Sequence, residues 1–251
     1  MIKKLIAILL AVMMLCGLAG CAGNKTEGAQ TTTAAKPTDA PALSPAPATA
    51  APLSETVQFG SYEWIVLDRQ DGKALIITKN IIEAKAYNEK RVDVTWETCT
   101  LRQYLNGEFY ERFSDADKDR ILETTVKNDG EQAFGRDGGN DTTDKIFLLS
   151  LNEVLRYFGD DGKLAERVAE RGINRVSGSG AGWGVLGEYN LARMASGKDS
   201  RRSYYEWWLR SPGLGASWAM YIHDDGEISL EGTWVETYTE FGVRPAMWIT
   251  L

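Results

Sequence analysis

Two stretches near the end of this chain carry side chains able to grip a charged group: Trp207-Trp208-Leu209-Arg210-Ser211-Pro212-Gly213 and Gly242-Val243-Arg244-Pro245-Ala246-Met247-Trp248. Arg210 and Arg244 could each hold an anion, because the planar guanidinium presents a fork of donors. The same residue types also build frameworks. An Arg inside an aromatic strand stacks on a Trp and pairs with a buried carboxylate, locking strands together. On that reading Trp207, Trp208, Arg210, Gly213, Arg244 and Trp248 are structural, and it is the reading preferred here.

Other chemistries are thinly supplied. Cys99 is the one cysteine available to a folded domain, which leaves no intradomain disulfide and no cysteine-based zinc site. It precedes a helical pattern and reads as a buried small apolar residue. His223 is the only histidine, and no Gly-x-Ser-x-Gly elbow presents a serine to it. Gly182-Trp183-Gly184-Val185-Leu186-Gly187 fits the dinucleotide pattern in letters only, since it follows a Gly/Ser loop rather than a strand. Asp137, Asn140, Asp141 and Asp144 are hard oxygen ligands of the kind Ca²⁺ takes, but their spacing matches no EF-hand. A polar turn before a strand explains them more simply. No cofactor and no metal is expected.

These residues need a scaffold, and not all of the 251 residues can supply it. Met1-Ile2-Lys3-Lys4 is a basic start, Leu5 to Leu15 is apolar but too short to span a bilayer, and Leu18-Ala19-Gly20-Cys21 follows. The run looks like a bacterial lipobox, making residues 1–20 a lipoprotein signal peptide and Cys21 the lipidated residue. Cleavage removes Lys3 and Lys4 and takes the net charge from −7 to −9. Residues 21–53 are rich in Thr, Ala and Pro without apolar periodicity, as expected of a disordered stalk. The acidic balance argues against nucleic acid. The expected partner is the membrane, through Cys21, at the extracytoplasmic face of a bacterial cell.

Residues 54–251 are expected to form one α+β domain of short antiparallel strands, hairpins and several short helices. Tyr62 to Leu67 and Lys73 to Thr78 flank Asp71-Gly72, a hairpin signal. Leu101, Tyr104, Leu105, Phe109 and Phe113 fall at helical spacing, capped by Thr98 or Thr100 and open to division at Gly107. Ser114 caps a further helix, and Asp144 to Leu149 reads as a buried strand. Ser150 and Glu153 form a capping box for a helix closed by Gly159. Lys163 to Arg171 predicts another helix. Trp218 to His223 and Glu227 to Leu230 flank Asp225-Gly226, a second hairpin, and Thr233 to Tyr238 suggests a strand. Ser211-Pro212-Gly213 should end the Trp-Trp strand in a turn with Gly213 at positive φ. The final run, Gly242 to Ile249, reads as one more short apolar strand, in which Pro245 should sit at an edge or a bulge.

The order Phe59-Gly60-x-Tyr62-x-Trp64, Thr95-Trp96, Leu101-Arg102-x-x-Leu105-Asn106, Asp144-Lys145-x-Phe147-Leu148-Leu149-Ser150, Trp207 to Gly213 and Gly242 to Ala246 resembles a bacterial family of extracytoplasmic lipoprotein domains of unknown function. The tail is also similar, more distantly, to the C-type-lectin-like fold of formylglycine-generating and sulfatase-modifying domains. The resemblance implies a C-type-lectin-like fold. It implies no activity, and the cysteine pair that formylglycine-generating enzymes use is absent here.

The function expected is therefore a membrane-anchored, non-catalytic recognition module for a glycan, a peptide or an envelope component. The alternatives are an enzyme of unrecognised type and an assembly lipoprotein that binds only a protein partner. Trp183, in a Gly-rich stretch without periodicity, together with Trp234 and Tyr238, is expected to line one open face that stacks on the ligand. The plainer alternative is that Trp183 plugs its loop into the core.

Overall fold

A computed structural model of the chain describes residues 53–130, 134–165, 184–185, 187–197, 205–237 and 241–251. The expected leader, the stalk up to residue 52, Trp183, Tyr238 and the Lys163–Arg171 helix beyond residue 165 lie outside the described residues. In chain order the described strands are β1 (Thr56–Phe59), β2 (Tyr62–Gln70), β3 (Lys73–Thr78), β4 (Glu83–Ala84), β5 (Thr124–Val126) and β6 (Thr142–Asp144). They continue with β7 (Gly184–Val185), β8 (Glu206–Pro212), β9 (Trp218–Ile222), β10 (Ile228–Trp234), β11 (Phe241–Val243) and β12 (Ala246–Thr250). The α-helices are α1 (Thr100–Tyr104), α2 (Asp115–Lys118), α3 (Leu151–Phe158) and α4 (Asn190–Arg193).

The strands form a four-stranded sheet ordered β1-β2-β3-β12, a six-stranded sheet ordered β4-β11-β8-β9-β10-β7, and the pair β5-β6. Pairing is antiparallel except between β8 and β11, which run parallel. The result is a mixed α+β domain with mostly antiparallel sheets. The β2–β3 hairpin forms where Asp71-Gly72 predicts it, with both residues at positive φ (46° and 76°), as the tight two-residue turn requires. The β9–β10 hairpin likewise turns at Asp225-Gly226. Its second strand is longer than the sequence suggests. Glu227 to Leu230 and the start of the expected 233–238 strand merge into β10, with a register shift between Ser229 and Thr233.

Three local expectations need correction. Gly242 to Ile249 is not one strand: β11 ends at Val243 in the six-stranded sheet, and β12 begins at Ala246 in the other. Arg244 and Pro245 make the crossing, so the missing proline N–H falls where no ladder needs it. Gly213 does not adopt a positive φ, and β8 continues through Pro212. Gly213 is instead needed because a Cβ there would collide with the Glu231 carbonyl. Third, residues 146–149 are buried but form no strand of their own: they meet the sheets through the bridge from Phe147 to Ala246 and the bond from Arg210 N to the Leu149 carbonyl at 3.0 Å.

The helices obey their caps. Ser150 Oγ accepts from Glu153 N, and Glu153 returns the bond to Ser150 N, so the capping box of α3 is complete. Ser114 caps α2. Helix α1 is capped by Cys99, whose Sγ accepts from Arg102 N at 3.3 Å, rather than by Thr98 or Thr100. After α1 the chain widens into a π-turn over Leu105–Phe109 and a 3₁₀ turn over Tyr110–Arg112. Asn106 gives the reason. Its Nδ2 donates to the Arg102 carbonyl at 3.1 Å, the acceptor that its own backbone N–H would take in an α-helix.

Strand β8 is buried on both faces. Trp207 packs on Phe158 and donates its indole N–H to the Arg193 carbonyl at 3.0 Å. Trp208, on the opposite face, meets Tyr87, Tyr221 and Phe241, and donates to the Lys85 carbonyl at 2.9 Å. Arg210 shares that side and ties three distant segments together. Its Nη1 donates to the Leu148 carbonyl at 2.7 Å and to Glu153, and its Nη2 to the Lys127 carbonyl at 2.9 Å. Arg210→Ala would leave these acceptors without their donor and open a gap. It should cost about 3 kcal/mol, on the order of 10 °C in Tm for a domain of this size. A thermal melt of the variant checks this, and an unchanged Tm would show that Arg210 carries no structural charge pairing.

Candidate functional site

The sequence-predicted residues that the structure describes do not converge on one site. Cys99 is fully buried at the start of α1, and its thiol donates to the Trp96 carbonyl at 3.4 Å. Burial pushes this thiol up to about 12, so it holds its proton at neutral pH. His223 ends β9 with its ring 4.7 Å from that of Tyr221, remote from any serine elbow. Asp137 and Asp141, ahead of β6, are met by protein donors: Asp137 caps Gly139 N, and Asp141 takes Lys127 and the Asn128 N–H. Asn140 donates to the neighbouring Glu97 carboxylate. Asp144, wholly buried, accepts from Arg102 Nε at 2.6 Å, Thr142 Oγ1 at 2.7 Å and Trp96 Nε1 at 2.9 Å. Among the described residues no group of three or more His, Cys, Asp or Glu side chains is placed to hold a metal ion.

The two arginines differ from one another. Arg210 has its carboxylate, Glu153, but the ring near it is Phe147 at 5.8 Å rather than a tryptophan. Arg244 has its tryptophan, Trp207 at 4.9 Å, but no carboxylate among the described residues. Its donors go to the carbonyls of Thr78 (2.9 Å), Arg193 (3.3 Å) and Lys79 (3.4 Å). Burial pulls Arg244 down to about 9, still well above neutrality, so the guanidinium stays charged inside a cage of carbonyl dipoles. Arg244 is enclosed and Arg210 reaches only a narrow void of about 10 Å³, and both guanidinia are taken up by protein acceptors. Trp248 is only partly buried, packed against the core from β12.

Trp234 is 36% exposed, yet its ring is already engaged. The Arg91 guanidinium lies over it at 4.0 Å and Trp218 packs against it at 4.7 Å. Arg91 in turn pairs with Glu236, whose carboxyl is held below its usual range by that bond. A ligand stacking on Trp234 would have to displace Arg91. Trp183 and Tyr238, the other two residues expected on this face, lie outside the described residues.

Glu236 leads to the largest opening described, a cleft of about 800 Å³. One wall is β4 and its extension, with Lys85 and Ala86, and the other is α1 with the turn after it, with Tyr104 and Glu108. Glu89 and Glu236 stand at its sides. Lys85 Nζ sits 4.2 Å above the Tyr104 ring, while the Tyr104 hydroxyl donates to Glu83. Burial and that carboxylate push the phenol up, keeping it a protonated donor. Arg112 closes the arrangement, 3.2 Å from Glu83. Both walls are fixed from behind. Trp208 bonds the Lys85 carbonyl, and the Asn88 side chain accepts from Thr100 N at 3.0 Å. The sequence pattern gave Tyr104 only as a helix-core residue and offered no signal for Lys85 or Glu89.

The described chain is thus a mixed α+β domain with a preformed, polar-rimmed cleft. It belongs to the family catalogued as a domain of unknown function, DUF6273, whose pattern matches residues 71–251. The match begins at the β2–β3 turn, although β1 and β2 pair into the same sheet. No curated protein and no solved structure matches the chain.

The burial of Cys99 makes a direct prediction. Iodoacetamide at pH 8 should leave Cys99 unlabelled in the native chain and label it in urea, read by mass spectrometry on its peptide. Because the folded thiol holds its proton above the ordinary value of 9.0, this group contributes stability in full below pH 9 and loses it as the pH rises toward 12. Rapid native labelling at pH 8 would contradict the burial.

Proposed function

We propose that this chain is a lipid-anchored extracytoplasmic recognition module whose cleft takes a glycan, a peptide or an envelope component without transforming it. The cleft carries the reading. Its volume of about 800 Å³ lies within the usual range of small-ligand sites, about 300–1,000 Å³. It offers both a cation and carboxylates: Lys85 has no ion pair among the described residues, and Glu89 stands near it. The thiol that might have served as a nucleophile is sealed behind α1. The proposal includes a C-type-lectin-like architecture, in which short sheets and helices form a body and the longer connections carry recognition. Cys21 supplies the membrane anchor and residues 22–53 the tether, both read from sequence.

One set of measurements tests both halves. Wild type, Cys21→Ser and Lys85→Glu are made as full chains, fractionated, melted and applied to an array of glycans and peptidoglycan fragments. Cys21→Ser should leave the membrane fraction and melt like wild type, and its persistence there would remove the anchor. Wild type should retain a subset of the array that Lys85→Glu loses at unchanged Tm. An array with nothing retained, or with no retained member lost by Lys85→Glu, would remove the cleft as the site.

A further inference from the structure

Seven of the chain's eight tryptophans lie among the described residues, and their indole N–H groups divide them. Four are fully buried and each donates to a protein acceptor: Trp64 to the Phe59 carbonyl, Trp96 to Asp144, Trp207 to the Arg193 carbonyl and Trp208 to the Lys85 carbonyl. Trp218 and Trp234 pack on each other, with Arg91 above. Trp248 is the exception. Like Trp218 and Trp234 it shows no indole N–H acceptor among the described residues, but unlike theirs its ring has neither an aromatic nor a cationic partner there. It is half-buried on β12 and lines a separate groove of about 410 Å³.

The rest of that groove is mostly polar, with Gln70, Lys73, Glu123, Thr124 and Thr125 beside the apolar Leu122. Sheet register explains the gathering. Trp248 pairs with Leu75, Thr250 with Lys73, and Lys73 with Gln70. Cross-strand partners and alternate residues share a face, so Trp248, Lys73 and Gln70 look out from the same side of the four-stranded sheet. Residues 122–125 run beside β12, held by a bond from Leu122 N to the Trp248 carbonyl at 2.8 Å. Neither Lys73 nor Glu123 has an ion pair among the described residues. The half-buried indole is bordered by the Glu123 carboxylate, the Lys73 ammonium, the Thr125 hydroxyl and the amide oxygen of Gln70, whose Nε2 is already bonded to Asp68 at 2.7 Å. This is a combination that a sugar ring satisfies. The apolar C–H face of the ring covers the indole, and its hydroxyls meet the polar rim.

We infer that Trp248 is the platform of a carbohydrate-binding groove, taking one pyranose ring of an oligosaccharide against its indole, with Gln70, Glu123 and Thr125 receiving the hydroxyls. The groove shares no lining residue with the Lys85–Tyr104 cleft, and the inference stands independently of that site.

The test is a calorimetric titration of the full chain with three tetrasaccharides: β-1,4-linked glucose, α-1,4-linked glucose and β-1,4-linked N-acetylglucosamine. At least one should bind saturably. Trp248→Ala should weaken that binding about tenfold or more, as loss of an aromatic anchor does, and Trp248→Phe less. Lys85→Glu should leave it unchanged. Trp248 also covers Leu75, so if Trp248→Ala does not fold, Trp248→Phe and the exposed-site variant Glu123→Ala decide, each with weakened binding at wild-type Tm. Three outcomes would overturn the inference: no binding by any of the three sugars, binding indifferent to the Trp248 and Glu123 variants, or binding abolished by Lys85→Glu.

Discussion

A charge moved out of water must be met by oxygens, and in this domain Arg210 shows how much of the chain is arranged to meet one. Its guanidinium is buried, and its acceptors come from Lys127, Leu148 and Glu153, far from it in sequence. Bringing them within reach fixes Lys127, Leu148 and Glu153 against β8. The surroundings reinforce that placement. Arg210 N bonds the Leu149 carbonyl, Tyr87 Oη donates to the Arg210 carbonyl, and Ser211 Oγ accepts from Leu151 N. A misfolded arrangement would strand a bare guanidinium, at a cost of several kcal/mol, so the charge selects this packing over others.

The same constraint is answered twice more, and the two answers position the cleft. Asp144 takes Arg102, Trp96 and Thr142 together, which anchors α1 to β6. Arg244 crosses between the two sheets and is satisfied by main-chain carbonyls at the end of β3 and the close of α4, with Trp207 and Phe158 on its faces. The α1 wall therefore hangs on a buried ion pair. The opposite wall hangs on the Trp208–Lys85 bond and on the central strand that Arg210 secures. The cleft is open because its walls are held from behind, not because its lining packs poorly.

Local chemistry was legible in the sequence, and long-range placement was not. Asp71-Gly72 and Asp225-Gly226 encode their turns in the backbone preferences of two residues, and Ser150 with Glu153 encodes a helix start, so these elements stood where expected. Residues 242–249 read as one apolar strand because nothing local says that its halves join different sheets. Gly213 was rightly marked as special for the wrong reason: the carbonyl that excludes a side chain belongs to Glu231, on another strand. The cleft draws on residues 84–89, 100–108 and 236, and no spacing rule links those positions. Trp248 looked like its neighbours in a motif, and only the sheet register separates it from the four tryptophans whose N–H groups are spent inside.

The central claim is that buried charge pairing holds the cleft walls in a preformed arrangement. Amide hydrogen exchange on the full chain, wild type beside Asp144→Asn, addresses it most directly, since the variant keeps the shape of the side chain but removes the charge that Arg102 meets. The account predicts that amides of residues 100–109 exchange in wild type only with global unfolding. In Asp144→Asn they should lose protection while those of β2 and β3 keep theirs. Equal protection of residues 100–109 in the two proteins would contradict it.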